Sequence, residues 1–275
     1  MALLPPFFLD CVAAIWVEKT DGAKHWIGTG FLFGKFIQQK PDNQKEYMIY
    51  LVTNKHVLKD KSNIILRFNP QSDISATDYP INFTEIKWVG HPEENVDVAV
   101  IQIDANLLVR ENMKFNFFKS DDSVFWKEKL KEMETTEGDY IYVLGFPMGL
   151  VSVDRQHAIL RSGAIARIRD LFENKSRDFM IDALVFPGNS WWPVILRPEI
   201  SSIQWTKSNS QAGLIWVIKG YIPYLDVAVS QQTNRARITF EDNSGLSLVE
   251  PVDSILETIE EHEKLLRFET ETQNV

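Results

Sequence analysis

The stretch Tyr50-Leu51-Val52-Thr53-Asn54-Lys55-His56-Val57 decides how this chain is read. Its apolar and β-branched residues spell a strand, and Thr-Asn ends that strand so that a histidine is delivered at its tip. Just upstream, Gly28-Thr29-Gly30-Phe31-Leu32-Phe33 gives a second strand, entered through glycines that permit close backbone approach. A histidine alone in such a place is more often structural. It gains weight only from its surroundings.

Outward from these two segments the pattern repeats: short β-type runs separated by turn residues. Cys11–Val17, Gly28–Ile37, Tyr47–Thr53, Ser62–Phe68, Phe83–Trp88 and Val98–Ile103 form one group. Tyr140–Gly145, Gln156–Ile168, Phe179–Ala183, Val194–Leu196, Leu214–Pro223 and Ala236–Phe240 form another. Two groups of about six strands fit an all-β fold of two antiparallel barrels, each closing its own edges. The charged stretch Met113–Glu137, with a helix-like piece over Trp126–Met133, links them. Arg197–Gly213 reads as a long polar hairpin loop. After Pro251, Asp253-Ser254 offers an N-cap, and Ile255, Ile259, His262 and Leu266 recur at helical spacing. The expected division is therefore 1–115, a first barrel; 116–137, a linker; 138–250, a second barrel; and 251–275, a helix and tail. The helix is expected to pack on the second barrel, with docking to a protein partner as the alternative. His262 is read as structural.

A chain of 275 residues buries a substantial core, and its net charge of −9 argues against a nucleic-acid partner, since a phosphate-reading surface is cationic. The single cysteine, Cys11, excludes an intrachain disulfide and is read as a buried, inert thiol. That count suggests a reducing, cytoplasmic compartment. The apolar N-terminus lacks a basic region, and no apolar run is long enough to span a bilayer, so neither secretion nor a membrane partner is expected.

Two further contexts carry chemistry. In Asn95-Val96-Asp97-Val98-Ala99-Val100-Ile101 an aspartate heads a fully apolar strand, where a half-buried carboxylate needs donors. A histidine Nδ1–H is one solution; a plain turn aspartate is the other. In Asp182-Ala183-Leu184-Val185-Phe186-Pro187-Gly188-Asn189-Ser190, Pro-Gly-Asn makes a tight turn that projects the serine. Its successive N–H groups, with Gly188 and Ser190 as donors around Asn189, suit an oxyanion. Acyl transfer requires this set: a hydroxyl, an imidazole base and a carboxylate that fixes the tautomer.

Together the three segments resemble the chymotrypsin-like serine peptidases, whose order is also His, Asp, Ser. Thr-Asn-x-His-Val, Asp-Val-Ala-Val and Pro-Gly-Asn-Ser look most like the HtrA branch. Leu144-Gly145-Phe146-Pro147-Met148-Gly149, Arg161-Ser162-Gly163 and Asn243-Ser244-Gly245-Leu246 resemble that family's second barrel. By this resemblance Ser190 is the nucleophile, His56 the general base and Asp97 its orienting partner, acting on protein or peptide substrates without cofactor or metal. Gly188, Asn189 and Ser190 would form the oxyanion hole. Leu184, Ser244, Gly245 and Leu246 would border the substrate pocket, with apolar Leu184 favouring small or medium apolar residues before the cut. Asn189 replaces the aspartate of relatives that are activated by prosegment cleavage, which argues against that switch. Unlike many HtrA proteins, the chain is not expected to carry a PDZ module.

One departure stands out. The family continues Ser-Gly-Gly-Pro, whereas this chain reads Ser190-Trp191-Trp192-Pro193. Adjacent strand residues point to opposite faces, so one indole would fill the barrel and the other would crowd the cleft. Three readings stay open: an active enzyme with altered leaving-side specificity, an occluded protease-fold binding protein, or a deliberate change from Gly-Gly.

Overall fold

A computed structural model describes residues 4–72, 75–152, 154–185, 192–199, 204 and 206–273. In the first half lie β1 (Val12–Glu18), β2 (Lys24–Gln39), β3 (Lys45–Thr53) and the one-turn α1 (Lys55–Leu58). There follow β4 (Asn63–Pro70), β5 (Thr77–Asn82), β6 (Trp88–Gly90), β7 (Ala99–Gln102) and α2 (Ala105–Arg110). They pair in the order β5-β4-β1-β2-β3-β7-β6, with β8 (Met113–Lys114) and β9 (Phe118–Lys119) attached to β4 and β2. After α3 (Lys127–Glu132), the second half contains β10 (Tyr140–Gly145), β11 (Ile159–Arg167), α4 (Arg169–Phe172) and β12 (Phe179–Asp182). It finishes with β13 (Pro193–Leu196), β14 (Gly213–Val229), β15 (Ala236–Pro251) and α5 (Asp253–Gln273). Its six strands close a barrel in the order β10-β11-β12-β15-β14-β13.

The all-β architecture with a closing helix agrees with the sequence reading, with two differences in detail. The first sheet wraps its own core but stays an open path among the described residues, and Pro80 in β5 lacks the N–H that a further strand would use. The strand expected over Phe83–Trp88 is a turn up to Lys87: Asn82 Oδ1 accepts from the N–H and hydroxyl of Thr84, and only Trp88 enters a strand, as the start of β6.

Three apolar layers follow from strand periodicity. Ile49 and Leu51 face the interior of the first sheet, while Tyr50 and Val52 face the seam between the halves. Ala99 and Ile101 point inward, with Val98 and Val100 toward the seam. From the other side, Tyr142 and Leu144 meet that seam, while Ile141 and Val143 fill the second barrel. These strands are therefore buried on both faces. Cys11 is also buried, which pushes its thiol pKa up.

The helix α5 packs elsewhere than expected. Ile255 and Ile259 are buried in the seam layer. His262 lies edge-on to Tyr50 at 5.6 Å, Lys35 Nζ donates to Glu263 at 2.6 Å, and His91 Nε2 meets Glu257 at 2.8 Å. The helix thus covers mainly the first half, because Tyr50, Val98 and Val100 present an apolar face there that would otherwise meet water. His262 is structural. No helix among the described residues is long and apolar enough to cross a membrane.

Candidate active site

At the end of β3, Thr53 and Asn54 are fully buried. The Thr53 hydroxyl donates to the Thr29 carbonyl at 3.2 Å, and Thr29 Oγ1 accepts from the Phe146 N–H of the second half at 3.2 Å. Gly30, next to Thr29, lets the strand sit close on the first sheet's interior: a Cβ there would fall 2.7 Å from Leu51 Cδ1. The chain then turns into α1, which carries His56.

His56 and Asp97 meet. His56 Nδ1 lies 2.6 Å from Asp97 Oδ2, and the His56 backbone N–H donates to Oδ1 at 3.2 Å. Asn54 Nδ2 donates to Oδ2 at 2.5 Å and to the Asp97 carbonyl at 3.1 Å. Burial of Asp97 opposes its charge, but hydrogen bonding and charge from His56, with help from Asn54, outweigh it and hold the carboxyl below its usual range. An ionised carboxylate at Nδ1 keeps the proton on that nitrogen and leaves Nε2 to accept one. The imidazole is about half exposed, the carboxylate less so.

The sequence reading took Asn54 only as the strand end and a member of the histidine motif, and assigned no role to Lys55. Lys55 Nζ reaches the carbonyls of His91 (3.4 Å), Glu93 (2.9 Å) and Glu94 (3.2 Å), clamping the loop that leads to Asp97. From the far side, Arg177 bridges Glu93 and Glu257, tying the same loop to α5. Asparagine and lysine are ordinary surface residues by composition, so only their adjacency to His56 could have marked them.

Ser190, Gly188, Asn189 and Trp191 lie outside the described residues. Leu184, on the approach to them, is exposed between buried Ala183 and Val185. Gly245 accepts from the Ala183 N–H at 3.1 Å, and Leu246 pairs with Asp182. Asn243 Nδ2 donates to the Val185 carbonyl, and the Ser244 hydroxyl to that of Ile222. Gly245 and Leu246 are therefore bonded to the segment leading to Ser190, with Asn243 as a clip that the sequence reading left without a role, while Ser244 is held by β14.

Trp192 is fully buried in the second barrel, among Val143, Val194 and Trp216. It is the interior indole of the pair. Among the described residues, no three His, Cys, Asp or Glu side chains group as metal ligands.

Residues 28–196 match the family model described as a trypsin-like peptidase domain. Three curated proteins from Pseudomonas putida strains F1, GB-1 and W619 are similar over 185 residues, at 28%, 27% and 28% identity. Each is described as a probable periplasmic serine endoprotease, DegP-like, and the match covers 66% of this chain and 31% of theirs. The chain thus spans about a third of the length of these relatives. A solved structure described as "Structure of GrC" aligns over 95% of this chain and 97% of its own, with 13% identity and a TM-score of 0.47.

The periplasmic relatives contradict the cytoplasmic location expected from the cysteine count. A chain with one cysteine closes no intrachain disulfide in any compartment, so that count carried no information on location.

Proposed function

Because the chain belongs to the trypsin-like peptidase domain family, we propose that it is a serine endopeptidase that cleaves protein substrates through Ser190, His56 and Asp97. The observation that carries this is the 2.6 Å contact between His56 Nδ1 and Asp97 Oδ2, made by residues far apart in sequence. An ionised Asp97 fixes the imidazole tautomer, and Nε2 takes the proton as Ser190 Oγ attacks the scissile carbonyl. The backbone N–H groups around Gly188, Asn189 and Ser190 receive the negative charge that develops on the carbonyl oxygen. His56 then returns the proton to the leaving amine, and water releases the acyl group by the same route in reverse. Leu184, Ser244, Gly245 and Leu246 border the pocket for the residue before the cut. Apolar Leu184 there favours a small or medium apolar side chain, since a buried cation would lack a partner.

Trp192 lies in the barrel core, so the reading of an occluded cleft now rests on Trp191 alone. The test is labelling with a fluorophosphonate, which reacts with an activated serine. Labelling that disappears in Ser190→Ala supports the proposal, whereas folded, unlabelled protein at neutral pH overturns it. Labelling gained in Trp191→Gly alone would identify an occluded enzyme.

A further inference from the structure

The strands β14 and β15 continue past the barrel as a two-stranded ribbon. β13 stops pairing with β14 at Val217, and β12 stops pairing with β15 at Leu246. From Pro223 to Val229 and from Ala236 to Asp242, the only ladder among the described residues is the one between β14 and β15. A lone ribbon of this kind is marginal in water. This one also displays apolar side chains: Tyr224, Ile238 and Phe240 share one face and are 61%, 56% and 51% exposed. The family match ends at residue 196, before the ribbon begins.

The outer edge of β15 reads Ala236-Arg237-Ile238-Thr239-Phe240-Glu241-Asp242. Laid antiparallel against itself about Thr239, this segment sets Ile238 opposite Phe240 and Arg237 opposite Glu241. Apolar meets apolar, and cation meets anion, on both sides of the centre. In the single chain Arg237 has no acidic partner among the described residues. Glu241 accepts from the Tyr221 hydroxyl through one carboxylate oxygen, which leaves its other oxygen for a cation. The outer edge of β14 offers no such match: it starts at Pro223, which has no N–H, and self-pairing about Val227 opposes Asp226 to Ala228.

We propose that the β15 edge is the docking site for a second copy of this chain, joined about a two-fold axis at Thr239 into a four-stranded sheet. An isologous contact of this kind closes on itself, giving a dimer rather than a fibre. The shared face then brings Ile238 and Phe240 of both copies together at the centre, with Asp226, Asp242 and Tyr224 flanking them. An arbitrary extended peptide could add to the same edge by its backbone, but it would not reproduce the Arg237–Glu241 reciprocity.

Sedimentation analysis across a concentration series tests this. The full chain should dimerise reversibly, and Arg237→Glu or Glu241→Arg should each weaken the dimer by about tenfold or more through like-charge contact. The double variant, Arg237→Glu with Glu241→Arg, should recover wild-type affinity to within about threefold, because the swapped charges again face opposites. Circular dichroism would verify that each variant folds. Independently, Thr239→Cys should form a disulfide-linked dimer on mild oxidation, since directly opposed residues lie within bridging range. The proposal fails if the full chain stays monomeric at millimolar concentration, if the single charge reversals leave the dimer intact, if the double variant does not recover, or if Thr239→Cys does not cross-link.

Discussion

The Trp192 indole occupies the space that a side chain on Gly145 would need: a Cβ built there would lie inside the ring's van der Waals envelope. The two belong to neighbouring strand ends of the closed barrel, and the indole is fully buried. The absence of a side chain on Gly145 in β10 therefore leaves the room that the Trp192 indole fills. Gly145→Ala should cost about 1–3 kcal/mol by overpacking. Trp192→Gly should cost about 3–5 kcal/mol by leaving a cavity. Urea unfolding of both variants checks this, and unchanged midpoints would show that the barrel adjusts freely.

Asp97→Asn keeps the shape of the side chain but removes the charge that receives the His56 Nδ1–H. Turnover should fall by roughly 10³–10⁴-fold with the fold intact. Peptide hydrolysis, or the rate of fluorophosphonate labelling, measures the effect. A loss below tenfold would mean that Asp97 does not set the imidazole tautomer.

Activity should rise from acid toward neutral pH, because only a neutral imidazole accepts a proton from serine. Asp97 is held below the ordinary carboxylate range and stays ionised throughout that rise. A flat profile from acid to neutral pH would exclude an imidazole base.

Lys55→Met should leave the imidazole in place but loosen the loop before Asp97, since three carbonyls lose a shared ammonium donor. The expected signature is a lower kcat with little change in KM. Loss of kcat restored by Lys55→Arg would identify clamping by charge and reach. Unchanged kcat would place the loop's stability elsewhere.

Glu137 supplies a pH effect on stability that is separate from the site. Burial opposes its ionisation, but N–H donors from Ile168 and Arg169 outweigh that and lower its pKa to about 2. A depressed pKa means that its contribution is present above the unfolded value, about 4.3, and is lost as pH falls toward 2. Glu137→Gln should be less stable than the parent at neutral pH, with the difference shrinking at about pH 3. Thermal melts at both pH values would reveal it, and a constant gap would discount the carboxylate.

The strand alternation through Tyr50–Thr53 and the apolar run after Asp97 were legible because burial on both faces demands them. The pairing of His56 with Asp97 was legible from motif order, and the seam from no single segment. What sequence reading missed was set by tertiary context. Pro223 looked like a strand end, yet the structure absorbs it at a register shift and continues β14 to Val229. Phe83–Trp88 has strand composition, but Asn82 captures the Thr84 N–H and turns the chain. The helix face of Ile255 and Ile259 said that something would be covered. Which sheet it covers depends on the outward residues of β3 and β7, far back along the chain.

That separation sets an order of events. A polypeptide made from its N-terminus presents the Tyr50, Val98 and Val100 face, and the loop carrying Asp97, long before Ile255, Glu257 and Ile259 have been synthesised. His91 waits 166 residues for its carboxylate. The loop that leads to Asp97 is therefore tied to α5 only after the whole second half has been synthesised, so its last clamp closes at the end of the chain.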